Sequence, residues 1–593
     1  MNRRDVLIGT TATVASTGSG DVTVAQAQTT PQPGVPSNAL KPEQPFQGRH
    51  LIVDALEIQG LSHVFGVPGA AIDPIIDAMI GRKVQFVHAG HEAHAAFMAG
   101  AFGRVTGRPG VCMSTSGPGT TNLAAGLVCA TAEGDPAVAI TGEPARDLRY
   151  RIGNQNINAT AVFTPIAKSS VEVEAPEALV PALANAFRTA AFPRQGGAHV
   201  AVPLDITMGA ATRGTAFAVP DAALGAASQE QLKAAAILLR SARSPIVLVG
   251  GAGATLRSAQ ALRSFLTRAP LPVVEVFEAA GCLSRSLGRC FAGRVGDHAN
   301  QPGDGLLRRA DVVLTIGFDL SEYDPTLWHK GSSSRIIHIG DCPTVVAPDY
   351  RPELVLLGEI AANLDGLQRA IDGPIEVDWA PVKTAQDQLA AFRNAIAPLK
   401  GSGVSPIAFI RELRALLADN VTVVSDVGSI GLWMVRNFLA YEPRRFLVDS
   451  KGWGALGTGL PKSIGAAFAR PGEKVVCMTG DGSFLMGGME MQTAARLKLP
   501  IVQVIWQDGT YDLVKITSQQ KFGRWGGFAF KTMDIEAFAG AFGAKGFRIE
   551  RDDEIRPVLA RALTAEGPVM VDLRIDYSGN ASLVEKSLIA YAP

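Results

Sequence analysis

Two aspartates each stand at the end of an apolar run and beside glycine. Lys474-Val475-Val476-Cys477-Met478-Thr479 leads into Gly480-Asp481-Gly482-Ser483, and the run from Ile501 to Trp506 leads into Gln507-Asp508-Gly509-Thr510-Tyr511. The runs read as two strands of one βαβ unit, with a helix from Met486 to Lys498 between them. Ligands of open α/β sheets bind outside the carboxyl ends of the strands. Two carboxylates meeting at that edge make a hard oxygen site suited to Mg2+. Glycine beside them lets the backbone approach a diphosphate closely. Either aspartate alone reads as an ordinary turn residue, and only the pairing across one βαβ unit lifts the pattern above that.

A third acid lies far upstream. In Val87-His88-Ala89-Gly90-His91-Glu92-Ala93-His94 a strand ends and a helix begins, with Glu92 at the junction. Taken alone, Glu92 is a glutamate favoured by the positive end of a helix dipole. His91 and His94 are three apart with Glu92 between them, so the segment is not the H-E-x-x-H of zinc enzymes and no metal site is expected there. The six cysteines form no C-x-x-C pair, and most sit in apolar stretches, as core residues do.

These groups need a scaffold, and the chain alternates short apolar strands with amphipathic helices from Leu51 onward. Such alternation predicts an α/β fold of doubly wound parallel sheets. At 593 residues the chain exceeds one ordinary core. The strand clusters predict three α/β domains, at 47–220, 228–372 and 404–580, with a connector at 373–403 and a tail at 581–593. Charged residues are 19% and hydrophobic residues 47%, which implies extensive buried surface and subunit interfaces. Lysine plus arginine equals aspartate plus glutamate, 55 each, so charge gives no indication of nucleic acid. No apolar run is long enough to span a membrane. The N-terminus carries Arg3-Arg4, a mildly apolar stretch and Ala25-Gln26-Ala27. That predicts a twin-arginine-type leader over 1–27, followed by a Pro-rich linker over 28–46, and a periplasmic location; without export the location is cytoplasmic.

The Gly-Asp-Gly segment with its downstream pair resembles the signature of thiamine-diphosphate (ThDP) enzymes. The rest of the chain resembles the acetolactate synthases, most closely the catabolic, FAD-independent type. The carrying segments are His63-Val64-Phe65-Gly66-Val67-Pro68-Gly69, His91-Glu92 with Ala95-Ala96-Phe97-Met98-Ala99, Thr115-Ser116-Gly117-Pro118-Gly119, Asn300-Gln301-Pro302-Gly303-Asp304 and Tyr511-Asp512-Leu513-Val514. The resemblance implies pyrimidine-binding, central and diphosphate-binding domains. It implies ThDP and Mg2+ as cofactors, without FAD. It makes Asp481, Asp508 and the Thr510 carbonyl the metal ligands, and Glu92 the catalytic acid bonded to the aminopyrimidine. Pro68, Ser116 and Asn122 are then cofactor-binding on the pyrimidine side. Gly428, Ser429, Gly482, Ser483, Tyr511, Asp512 and Leu513 line the diphosphate side, and Leu432 lies beneath the bent cofactor. Gln155, Trp453 and Thr517 fall on the substrate side. The family's site needs a homodimer at least, and a homotetramer is common.

Several positions depart from the family pattern. Ala71 stands where a lysine is usual, Gly90 where an arginine is usual and Thr517 where a glutamine is usual, while Gly452-Trp453-Gly454-Ala455 replaces the family's Gly-Met/Gln-Gln-Thr stretch. Lost cations weaken recognition of a substrate carboxylate, and Lys515, Arg146 and Arg149 are candidates to replace them. The expected reaction is decarboxylation of a 2-oxo acid such as pyruvate and its addition to a second carbonyl, giving 2-acetolactate. The alternatives are a simple 2-oxo acid decarboxylase, an acyloin lyase, a non-catalytic cofactor-binding protein, and a flavin or nicotinamide oxidoreductase built on Gly250-Gly251-Ala252-Gly253.

Overall fold

The computed structural model describes residues 45–149, 151, 153–219, 224–296, 299–394, 403–449 and 451–584. The leader expected over 1–27, nearly all of the linker and most of the 581–593 tail lie outside the described residues.

Three six-stranded sheets, every pairing parallel, follow one another along the chain. The first holds β1 (His63–Gly66), β2 (Gln85–His88), β3 (Gly110–Ser114), β4 (Ala137–Glu143), β5 (Ser169–Glu172) and β6 (Gly197–Pro203), in the order β2-β1-β3-β4-β6-β5. The second holds β7 (Pro245–Val249), β8 (Val273–Val276), β9 (Phe291–Val295), β10 (Val312–Ile316), β11 (Arg335–Gly340) and β12 (Leu354–Leu357), in the order β12-β11-β10-β7-β8-β9. The third holds β13 (Thr422–Ser425), β14 (Phe446–Leu447), β15 (Val475–Gly480), β16 (Ile501–Gln507), β17 (Lys545–Ile549) and β18 (Val569–Arg574), in the order β14-β13-β15-β16-β18-β17. The first and third sheets therefore share one strand order. In both, the order reverses beside the first strand, where ligands of open sheets bind.

Central strands such as β3, β7 and β10 are buried along their whole length. That fits their unbroken apolar sequences, since helices cover both faces of parallel sheets. Among the described residues no helix is long and apolar enough to cross a membrane.

The helix expected from Met486 to Lys498 is different in the structure. Helix begins at Asp481 and runs to Gly487, a 3-10 turn covers Gly488–Glu490, and a second helix covers Met491–Arg496. The cause is the Gly487-Gly488 pair. A Cβ on Gly487 would lie 2.3 Å from the Gly457 carbonyl oxygen, and one on Gly488 would lie 2.6 Å from the Phe484 ring. Only glycines admit those approaches, and they let the helix break.

The first and third domains are joined by buried charges. Lys462 pairs with Asp449, and Arg104 pairs with Asp135 while lying 3.7 Å from Asp449. All four side chains are at most 14% exposed. Removing one member of such a set costs about 3–5 kcal/mol, because its partner is left buried and uncompensated.

Candidate active site

The paired-aspartate turn is assembled by backbone hydrogen bonds to one carboxylate. Asp481, 1% exposed, follows β15 as the first residue of its helix. Its Oδ1 accepts Gly482 N–H at 2.9 Å, and its Oδ2 accepts the N–H groups of Asp508 at 3.1 Å and Gly509 at 2.7 Å. The turns after β15 and β16 are thus closed on a single side chain. Gly509 has φ +73°, which lets the chain double back toward Thr510. The Thr510 hydroxyl donates to Asp508 Oδ2. Burial, opposed by the bonds from Gly509, Gly482 and Asp508, holds the Asp481 carboxyl up at about 6. Burial, with the neighbouring charges of Asp481 and Asp512, pushes Asp508 up to about 7. Burial raises both acids, and the Asp481 charge adds to the rise at Asp508. That electrostatic strain, in an all-oxygen donor set, fits a divalent cation such as Mg2+ held by Asp481, Asp508 and the Thr510 carbonyl.

Around this turn the diphosphate-side residues converge. A Cβ on Gly482 would lie 2.5 Å from the Tyr511 ring, so the Gly-Asp-Gly turn and Tyr511 are in close apposition. Gly428, φ +120°, caps the Ser429–Asn437 helix after β13. Ser429 donates to Asp512 Oδ2 at 2.7 Å, and Asn580 donates to the same oxygen at 2.6 Å. Ser483 is 4% exposed, and Leu513 packs against the core of the third domain. Leu432, 7% exposed, packs in that core too. Gln507 is held within the fold, donating to Asp572 at 2.5 Å and to the Met533 carbonyl at 3.1 Å, and accepting Met533 N–H at 2.7 Å.

The second cluster is at the same edge of the first sheet. Glu92 opens the Glu92–Thr106 helix after β2, capped by His91, whose ring accepts Ala93 N–H. It is 9% exposed, and Asn122 donates to its Oε2 at 3.0 Å. A Cβ on Gly119 would lie 3.3 Å from Glu92 Oε1, so the glycine keeps space beside the carboxylate. Ser116 and Gly117 follow β3, with Gln155 packed against Gly117 in the left-handed region at φ +57°. Pro68 follows β1, in a turn fastened to β3 by Ala71 N–H donating to Thr115 at 3.3 Å. Among the described residues, no hydrogen bond or ion pair joins Glu92, Ser116 or Asn122 to Asp481, Asp508 or Thr510.

Three of the positions that depart from the family pattern, Gly90, Trp453 and Thr517, make defined contacts. A Cβ on Gly90 would lie 3.1 Å from Oε1 of Glu490, a fully buried carboxylate that accepts Gly90 N–H and the His94 ring, each at 2.8 Å. Sequence reasoning missed Glu490, because Gly90 and His94 lie about 400 residues from it along the chain. His91, His94, Phe97, Trp453, Ala455 and Met486 line a cavity of about 390 Å3. The Thr517 hydroxyl bonds back to the Leu513 and Val514 carbonyls of its own helix. Arg146 is paired with Asp205 and Arg149 with Glu172, while Lys515 lies 3.7 Å from Asp512.

The glycine turn after β7 borders a cavity of about 610 Å3. Its Gly251 N–H donates to Glu322 at 3.0 Å. The Glu322 carboxylate thus occupies this backbone donor.

Residues 46–162, 232–367 and 426–573 match, in turn, the N-terminal TPP binding, central and C-terminal TPP binding domains of thiamine pyrophosphate enzymes. The chain is 40% identical over 547 residues to the acetolactate synthase of Bacillus subtilis (strain 168), covering 91% of this chain and 95% of that one. It is 36% identical to the catabolic acetolactate synthase of Raoultella terrigena, covering 91% and 96%, and 28% identical to the acetolactate synthase isozyme 2 large subunit of Escherichia coli (strain K12), covering 90% and 96%. With one domain match on each of the three sheets and likeness along almost the whole length, the chain belongs to the thiamine pyrophosphate enzymes, in the acetolactate synthase family.

Proposed function

We propose that the chain is a ThDP- and Mg2+-dependent carboligase that converts two pyruvates and a proton to 2-acetolactate and CO2. The observation that carries this reading is the repeated strand order, which sets a buried glutamate at the carboxyl edge of the first sheet and a buried aspartate pair at the equivalent edge of the third. Asp481, Asp508 and the Thr510 carbonyl would hold the metal, and the Gly482–Tyr511 turn with Ser429 would hold the diphosphate. When bound, ThDP supplies a carbon nucleophile and an electron sink. Glu92, kept from bulk water and oriented by Asn122, holds or releases a proton at the aminopyrimidine. The Trp453 cavity receives the 2-oxo acid. The likeness of all three domains to those of thiamine pyrophosphate enzymes supports a homodimer whose sites are completed across protomers.

Incubation with pyruvate, ThDP and Mg2+, with products identified by mass, tests this: 2-acetolactate is expected. Ala71, Gly90 and Trp453 favour one second reading, a changed substrate. Acetaldehyde as sole product would make the enzyme a decarboxylase, and cleavage of an acyloin would make it a lyase.

Arg3-Arg4 and Ala25-Gln26-Ala27 support export of the folded chain to the periplasm. N-terminal sequencing of the mature protein should then begin just after Ala27, and an intact Met1 or Asn2 would overturn export.

A further inference from the structure

The loop carrying Trp453 is short of conformational constraint. Gly452, Gly454 and Gly457 sit at φ +86°, +68° and +78°, and glycine visits such angles at a large entropic cost on ordering. Something outside the loop must fix it. At its C-terminal end Thr458 donates to Asp449 at 3.1 Å, and Gly459 N–H donates to Asp426 at 3.0 Å. Gly457 also abuts Met486, where a Cβ would lie 2.7 Å from that side chain.

At its N-terminal end the anchor comes from another domain. Lys451 immediately precedes Gly452, and its side chain is 15% exposed. Its Nζ lies 3.1 Å from Oε1 of Glu322, whose side chain is 1% exposed. Glu322 is itself locked by Gly251 N–H at 3.0 Å and Asp319 N–H at 3.1 Å, both in turns of the central domain. The Lys451 backbone N–H donates to Glu133 of the first domain at 3.3 Å. One lysine thus ties the start of the loop to both other domains.

We propose that Lys451, held by Glu322, is a positioning residue that fixes the Gly452–Gly457 loop and sets Trp453 against the substrate cavity. The glycine turn after β7 then does new work. Its backbone donors orient the carboxylate that holds the lysine, so the central domain acts on the site through one ion pair. The inference rests on the reading above only where it invokes the substrate.

The test uses the full-length protein and the variants Lys451→Met, Glu322→Gln, their double mutant and Lys451→Arg. Trp453 is read by acrylamide quenching, as the difference between each variant and the same variant carrying Trp453→Phe, and this arm needs no turnover. Both single variants should raise Trp453 quenching and lower kcat/KM for the 2-oxo acid ~10–100-fold, chiefly through KM, as a displaced site group does. The double mutant should be no worse than either single, since the two act as a unit. Lys451→Arg should restore both readouts. Variants with native circular dichroism whose quenching and KM match the parent would overturn the proposal, as would additive losses. Failure of Lys451→Met to fold leaves Glu322→Gln to decide. A parent that turns over no 2-oxo acid would sink the proposed function, while the quenching arm would still judge the anchor.

Discussion

Glu92→Gln abolishes exchange of the C2 proton on bound ThDP and lowers turnover by ~10²–10⁴-fold, the usual worth of a positioned acid–base group, while the cofactor still binds. The substitution is close to isosteric. Glu92 is 9% exposed and takes one hydrogen bond, from Asn122. A glutamine can still accept that bond with its amide oxygen, so fold and pocket shape are retained. What it cannot do is carry a proton between two states. Exchange is followed by NMR after acid quench, and binding by the rise in Tm on adding ThDP and Mg2+. Unchanged exchange with intact binding would remove Glu92 from the catalytic role. Lost binding would mean that the residue shapes the pocket instead. Because the diphosphate side is built from a different domain, the binding arm should be insensitive to this change.

The parts of this site that were legible in the sequence are the local ones. An apolar run ending in Gly-Asp-Gly shows itself within ten residues, because a buried parallel strand and a tight turn each leave a compositional mark. The Asp481 and Asp508 turns and the helix start at Glu92 are of this kind. Glu490, Glu322 and Lys451 left no such mark. Each is a charged residue that also takes a partner from a segment distant in sequence, and nothing in its neighbours shows that it is buried. The Gly250–Gly253 turn raised a flavin or nicotinamide enzyme as an alternative only, and its Gly251 N–H donates to a carboxylate of the same chain. The broken helix after Asp481 was hidden for a related reason. Its periodicity is helical on both sides, and only the approach of Gly457 shows why Gly487-Gly488 must interrupt it.

Asp508→Asn and Asp481→Asn should separate metal binding from turn architecture. Asp508 accepts a bond from the Thr510 hydroxyl, and burial beside Asp481 and Asp512 pushes it up to about 7. A carboxyl whose pKa rises on folding costs stability above its ordinary value, increasingly as pH climbs toward the folded one. At neutral pH an asparagine lifts that cost, so cofactor-free Asp508→Asn should be at least as stable as the parent. It should nevertheless lose the stabilisation by ThDP with Mg2+, which is ~2.7 kcal/mol for a ligand at a hundred times its Kd. Asp481 differs, because both of its oxygens accept backbone N–H groups. An amide there must turn its NH2 toward at least one of those donors, whichever way it faces. Asp481→Asn should therefore lose the cofactor and leave the cofactor-free chain less stable than Asp508→Asn does, by about 1–3 kcal/mol for a buried donor left unpaired. Urea unfolding with and without ThDP and Mg2+ reads both quantities. If Asp508→Asn keeps the metal-dependent gain, the paired aspartates are turn residues and the cation is bound elsewhere. A lower stability of the empty chain for Asp481→Asn than for Asp508→Asn, with the same loss of the cofactor-dependent gain, would instead show two acids with different duties: Asp481 shapes the turn, and Asp508 supplies charge that the bound cation offsets.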